Sequence, residues 1–201
     1  LTNQIYLNGS GVAAGDVDCD GWCDLYFCSL DGPNALYRNL GGWKFQDITD
    51  TTIACPNLAA TGAAFADLDG DGDLDLIVNS IAGGSHIFSN DGQGHFERRF
   101  LLNEKKGGMS LALADIDGDG YLDLYIANYR TSALMDMVNT RGFFKIVNGE
   151  RLLDRIDGRS VTEPDLANRF VVNARGGVEE LGELDVFYRN QSGTNFEAIS
   201  F

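Results

Sequence analysis

Residues 110–128 read SLALADIDGDGYLDLYIAN, and the same pattern stands at 62–80 as GAAFADLDGDGDLDLIVNS and at 11–29 as GVAAGDVDCDGWCDLYFCS. Each copy passes from a small, apolar segment through an acidic loop, DxDxDGxxD, into a segment rich in β-branched and aromatic residues. The loops begin at Asp16, Asp67 and Asp115, so the chain is built from a repeat of about 50 residues.

Outward from the loops, NALYRNLGGWKFQDIT (34–49) and SHIFSNDGQGHFERRF (85–100) each read as two short strands around a glycine-containing turn. A unit is then strand, acidic loop, strand, turn, strand, turn, strand, which with this period predicts four-stranded blades of an all-β propeller. The first blade spans 11–50 and the second 61–100. The third holds 108–129 and resumes only at 185–201, where Val186, Phe187, Tyr188, Arg189 and Asn190 match Ala35, Leu36, Tyr37, Arg38 and Asn39. Residues 130–184 are accordingly expected as a long insertion, and QIYLN (4–8) as a further strand. Within the insertion, FFKIVNGERLL reads as a hairpin around Asn148 and Gly149. Ser160 or Thr162 is placed to cap one helical turn with Pro164 near its start, and SALMDMVNT as another short helix.

The loop chemistry suits a hard cation. Aspartates at loop positions 1, 3 and 5 send carboxylates to one side of a tight turn, and glycine at position 6 permits the reversal. A carbonyl at position 7 and the aspartate at position 9 complete an oxygen cage. The candidate ligands are Asp16, Asp18, Asp20 and Asp24 with the carbonyl of Trp22; Asp67, Asp69, Asp71 and Asp75 with that of Asp73; and Asp115, Asp117, Asp119 and Asp123 with that of Tyr121. About three calcium ions are expected. An EF-hand would need Glu at position 12, where this chain has Phe27, Val78 and Ile126 inside apolar strands. Magnesium is disfavoured because it keeps its waters. An Asp-Gly turn held only by side chain to backbone hydrogen bonds is the metal-free alternative for any one loop.

Composition bounds the rest. Thirty acidic against 15 basic side chains give a formal charge of -15, which leaves no footprint for nucleic acid. No apolar run approaches a membrane span. The four cysteines, Cys19, Cys23, Cys28 and Cys55, form no CxxC, so zinc and haem attachment are disfavoured. With a calcium motif that fits extracellular calcium they are expected oxidised, preferably Cys28 with Cys55 and Cys19 with Cys23, against the alternative of buried free thiols. Only two histidines occur, His86 and His95, with no HExxH, GxSxG or GxxxxGK. Trp22 and Trp43 are candidates either for stacking on sugars or for core packing. Asn8-Gly9-Ser10 and Asn190-Gln191-Ser192 fit the glycosylation pattern.

The acidic loops, the small-apolar approach to them and the LYRN and F-x-D-I-T strands resemble the FG-GAP or VCBS repeats of integrin α-chain-like β-propellers, in the secreted type associated with ASPIC/UnbV regions. That resemblance implies a propeller, often seven-bladed, outside the cell, with calcium in the loop between the first two strands of a blade. It implies mostly adhesion, binding of protein or carbohydrate, or scaffolding, and the thin set of catalytic candidates, two histidines outside any catalytic motif, speaks against an enzyme. About three blades fall short of the four to eight that close a ring. More blades of a longer propeller, or neighbouring copies, are expected to supply the remainder. Two other classes stay open: a self-assembling extracellular filament or surface-layer protein, and a polysaccharide-acting enzyme.

Overall fold

A computed structural model describes residues 4–134 and 140–199. The described chain divides into two compact units, residues 9–131 with 184–201 and residues 1–8 with 132–183.

The larger unit contains three four-stranded antiparallel sheets. The first comprises β1 (Val12–Gly15), β2 (Asp24–Phe27), β3 (Ala35–Asn39) and β4 (Phe45–Asp47), in chain order across the sheet. A single helical turn, α1 (Thr51–Ala54), follows, and Asp50 caps it by accepting from the N–H groups of Thr52 and Ile53 at 2.7 and 3.1 Å. The second sheet comprises β5 (Ala59–Ala66), β6 (Asp75–Ile81), β7 (Ser85–Asn90) and β8 (Phe96–Leu102). The third begins with β9 (Gly108–Ala114) and β10 (Asp123–Asn128).

The smaller unit has a three-stranded sheet of β11 (Gly142–Val147), β12 (Glu150–Ile156) and β13 (Arg159–Ser160), and a two-stranded one of β14 (Phe170–Val172) and β15 (Val178–Glu180). β11 and β12 form the hairpin expected around Asn148 and Gly149, both of which take the left-handed backbone that such a turn needs. Residues 161–168 are successive turns without a helix. Ser160 donates its N–H to Glu163 at 3.0 Å, and there is no helical turn for Ser160 or Thr162 to cap. Gln4–Asn8 is a 3-10 helix and not the expected strand. The expected helix at 132–140 falls largely on residues 135–139, outside the described residues.

The chain re-enters the third sheet with β16 (Val186–Asn190) and β17 (Phe196–Ile199), giving the order β17-β16-β10-β9. The register repeats from sheet to sheet: Leu25 faces Tyr37, Leu76 faces Phe88 and Leu124 faces Tyr188.

The sheets stack face on face, and alternation along the middle strand makes this possible. Leu76 and Val78 of β6 enter a cluster with Val17, Tyr26, Leu36, Ile53 and Phe96, whereas Ile77 enters a second cluster with Leu68, Leu124, Ile126, Tyr188 and Phe196. Every residue of β6 is buried, so a continuous apolar run, rather than an alternating one, is what this position demands. The strands leading into the loops are small for a steric reason. A Cβ on Gly11 would stand 2.9 Å from the Cα of Gly62, so these backbones approach as closely as glycine allows.

The four cysteines are free, so neither Cys28–Cys55 nor Cys19–Cys23 is bridged, a correction to the sequence expectation. Cys28 is buried in the first cluster with Cys55 packed against it, and burial pushes their thiols up to about 12 and about 11. Both behave as small hydrophobes. Cys23 and Cys55 direct Sγ at the carbonyls of Asp24 and Thr52. Trp22 and Trp43 are both exposed, which excludes core packing for either.

Candidate metal centres and the joint between sheets

The three acidic loops occupy the same corner of successive sheets and fold by the same local bonds. The position-1 carboxylate accepts from the position-6 glycine N–H: Gly21 to Asp16 at 2.8 Å, Gly72 to Asp67 at 3.1 Å and Gly120 to Asp115 at 3.0 Å. The position-5 carboxylate accepts from the position-7 N–H: Trp22 to Asp20, Asp73 to Asp71 and Tyr121 to Asp119. The position-7 residues are thereby fixed, and their carbonyls are the ones expected among the ligands.

Within each loop three acids bring one oxygen apiece within 4.8 Å of one another: Asp16, Asp18 and Asp24; Asp67, Asp69 and Asp71; Asp115, Asp117 and Asp123. Oxygens sharing one calcium at 2.3–2.6 Å lie no more than about 5 Å apart, so these sets fit a common ion. Asp20, Asp75 and Asp119 stand outside the closest trio of their own loops. A second observation favours a cation. Oδ1 of Asp18 and Oδ1 of Asp69, both at position 3, are buried without a hydrogen-bond partner. A buried carboxylate oxygen left so is costly unless something positive reaches it.

The position-9 aspartates are buried and do more than the sequence suggested. Each joins two distant backbone segments. Asp24 accepts from Val17 at 3.0 Å and from Asn39 at 2.7 Å, Asp75 from Leu68 at 3.0 Å and Asn90 at 3.1 Å, and Asp123 from Ile116 at 3.0 Å and Asn190 at 2.9 Å. One carboxylate thus pins its loop to the end of the third strand of its sheet. Burial raises the Asp24 carboxyl above its ordinary value and lifts that of Asp75 to about 6, with the charges of Asp69 and Asp71 adding to the latter. Asp69 and Asp73 are also raised, first by burial and then by the charge of Asp71.

The residue receiving that pin is an asparagine whose role sequence reasoning missed. Asn90 donates through Nδ2 to Val17 O in the loop of the first sheet at 2.8 Å and to Leu74 O in its own loop at 3.2 Å. Asn190 repeats this one sheet further on, to Leu68 O at 2.7 Å and Leu122 O at 3.1 Å. Each asparagine is therefore the latch between its sheet and the preceding one, inserted beside a candidate metal loop. The only signal in the sequence was its recurrence at the end of LYRN, IFSN and FYRN. Asn190 is fully buried with both amide hydrogens engaged, which rules out the folded protein as a glycan acceptor there.

Position 3 differs between loops. Arg38 Nε lies 2.5 Å from Asp18, and Arg189 Nη2 lies 2.5 Å from Asp117. The equivalent residue beside Asp69 is Ser89. His86 is buried with Nε2 on Gly83 O and with Nδ1 lacking a hydrogen-bond partner, and it lines a concavity with Cys55, Leu58, Phe88 and Arg98, whereas His95 pairs with Asp91 across an exposed turn. Among the described residues no helix is long and apolar enough to cross a membrane.

Repeated four-stranded sheets, each carrying an acidic loop between its first two strands, define a β-propeller of the FG-GAP class. The FG-GAP-like repeat matches twice, over residues 16–78 and 67–126, together more than half of the chain, and the chain belongs to that family. It is similar to cartilage acidic protein 1 from Xenopus tropicalis, 32% identical over 83 residues, and from Mus musculus, 34% identical over 80 residues. The human protein of that name is 32% identical over 80 residues. These matches take in 40% of this chain and 13% of the frog protein, and 38% of this chain and 12% of the mouse and human proteins.

Proposed function

We propose that this chain is a calcium-stapled propeller module that acts outside the cell as a binding, adhesion or scaffolding element, with protein or carbohydrate as ligand. The observation that carries the calcium reading is the pair of buried, unpartnered position-3 oxygens, Asp18 Oδ1 and Asp69 Oδ1, each within a set of converging carboxylates. Because the same loops accept the interlocking asparagines, the ions would be structural staples for the joints and not a switch. Similarity to proteins named for cartilage and for acidity supports an extracellular matrix setting. Membership of the FG-GAP-like repeat family supports a non-enzymatic role.

Extracellular modules bind calcium at about 10⁻⁴ to 10⁻³ M, and at ten times the dissociation constant each site adds about 1.4 kcal/mol to stability. Thermal melting in millimolar calcium and in excess EDTA tests this. A clear fall in Tm on chelation is expected, and an unchanged Tm would overturn the calcium reading. Glycan and matrix-protein arrays then read the ligand class.

A further inference from the structure

The connection from the first sheet to the second, residues 51–58, packs against β8 through α1. With β7 and β8 it forms a concavity of about 500 Å³, within the range of small-molecule sites. Its walls include Cys55, Pro56, Leu58, His86, Phe88 and Arg98, all from chain that lies between the first and third sheets. Close packing builds the floor. Leu58 lies on Gly83, where an added Cβ would stand 2.5 Å from Leu58 Cδ2, and the Gly83 carbonyl holds the His86 ring through Nε2 at 3.1 Å. That ring in turn stacks on Phe88, with centroids 6.1 Å apart.

Two polar groups in these walls lack partners. With Nε2 donating to a carbonyl, the neutral imidazole of His86 presents Nδ1 as an acceptor, and Nδ1 is buried without a hydrogen-bond partner. Buried acceptors are ordinarily met by protein, water or a bound molecule. Among the described residues, Arg98 forms no ion pair and no side-chain hydrogen bond. In a chain with a formal charge of -15, an unpaired guanidinium is an exception. Its charge acts on both neighbouring polar walls, adding to burial in lowering His86 and opposing the rise that burial imposes on the Cys55 thiol. Asp50, whose charge also acts on Cys55, is engaged at the start of α1. The repeat asks for neither residue. Where the second sheet has His86 and Arg98, the register places Val186 and Ala198 in the third sheet and Ala35 and Asp47 in the first. In the third sheet Tyr188 accepts from the Asn103 N–H at 2.8 Å and ties the preceding connection down. Phe88, its equivalent, has no hydroxyl, and the concavity lies beside it.

We propose that this concavity binds a small organic carboxylate, with an apolar body against Leu58 and Phe88 and the carboxylate on the Arg98 guanidinium. His86 Nδ1 supplies an acceptor for a hydroxyl or N–H on the same ligand. The planar fork of arginine matches a carboxylate in two parallel hydrogen bonds, and apolar walls strengthen that pair by excluding water from it. The site goes beyond the calcium and adhesion reading and does not rest on it, because none of its residues belongs to an acidic loop.

Isothermal titration calorimetry of the whole chain in millimolar calcium reads the site. The probe is 3-phenyllactate, which carries the carboxylate, a hydroxyl and an apolar body; its amide lacks the charge, and lactate lacks the body. Saturable binding of one 3-phenyllactate per chain is expected, with the amide and lactate each weaker by about tenfold or more. Arg98→Gln should weaken 3-phenyllactate by about tenfold and leave the melting curve in calcium unchanged, because Arg98 is exposed. His86→Val combined with Arg98→Ala installs the pair that the third sheet already carries, so it keeps the test open if Arg98→Gln misfolds, and it should abolish binding. Absence of saturable 3-phenyllactate binding overturns the proposal, as does equal binding of the amide or of lactate, or binding that both variants retain.

Discussion

The first and second acidic loops share a nine-residue pattern and a place in their sheets, yet they handle charge differently. Asp18 leans on Arg38 at 2.5 Å, whereas the corresponding position in the second sheet is Ser89. The second loop also carries Asp73 where the first has Trp22. The second loop thus concentrates more negative charge with less internal compensation, and its position-9 carboxyl is raised to about 6. The lesson is that a repeated motif fixes where a cation would sit, while neighbours outside the motif set how much the loop needs it.

The largest effects should come from the pins that both loops share. Asp75→Ala and Asp24→Ala each remove two charge-assisted bonds to backbone N–H groups and strand those groups inside the protein. At about 1.5–3 kcal/mol per bond the loss is roughly 3–6 kcal/mol in each case, read by urea denaturation in calcium. If Asp75→Ala costs much less than Asp24→Ala, the two pins are not equivalent.

The arginine difference can be exchanged. Arg38→Ser should make the first loop behave like the second, increasing the fall in Tm on chelation, and Ser89→Arg should decrease it. Each change is expected at about 0.5–1 kcal/mol, the scale of a partly exposed ion pair. Equal chelation responses in wild type and both variants would remove the arginine from the account.

The same contrast has a pH signature. In chelator, the Asp75 carboxyl has a folded value of about 6 against an ordinary 3.8. A raised carboxyl contributes stability that is fully present below the unfolded value and is lost as pH rises through the folded one. Metal-free protein should therefore gain stability from this group as pH falls from about 7 towards 4. In calcium the trend should reverse over the same window, because protons compete with the ion for the loop carboxylates. Tm profiles with and without EDTA that run parallel would contradict this.

The smallest effect belongs to loop position 4. Cys19 adopts φ of 57° where Gly70 and Gly118 take 79° and 77°. A left-handed backbone costs a non-glycine residue about 1–2 kcal/mol, and glycine returns part of that through the unfolded chain. Cys19→Gly should stabilise by about 0.5–1 kcal/mol, and a loss of stability would mean that the thiol packs usefully.

The repeat made the architecture legible, because a recurring loop followed by an apolar segment marks where each second strand begins. The continuous run Leu76-Ile77-Val78 was readable as a strand, but not as one shared between two cores, since that depends on sheets lying on both sides of it. The interlocking asparagines stayed hidden for a related reason. Asn90 meets Val17 across 73 residues and Asn190 meets Leu68 across 122, so no local pattern encodes the contact. QIYLN misled because five residues with apolar side chains at Ile5 and Leu7 fit a strand as readily as a short helix. The cysteine positions carried no information on pairing, and three-dimensional packing left all four free. The helical turn at Thr51–Ala54 was overlooked although Asp50 is a capping residue, because four residues give no period to detect.

The third sheet is assembled from segments that the chain makes far apart. β6 and β7 are joined through residues 82–84, but β10 and β16 are joined through residues 129–185. Closing a disordered tether of that length in place of a tight turn costs about 2–3 kcal/mol of chain entropy. The hairpin of β11 and β12 forms from neighbouring residues and shortens the effective tether. Order of synthesis sharpens the consequence: a nascent chain holds all of the first two sheets and half of the third before Asp185 exists. During that interval the apolar outer edge of β10 waits for its partner, and the time for which it waits is set by how quickly the intervening unit folds.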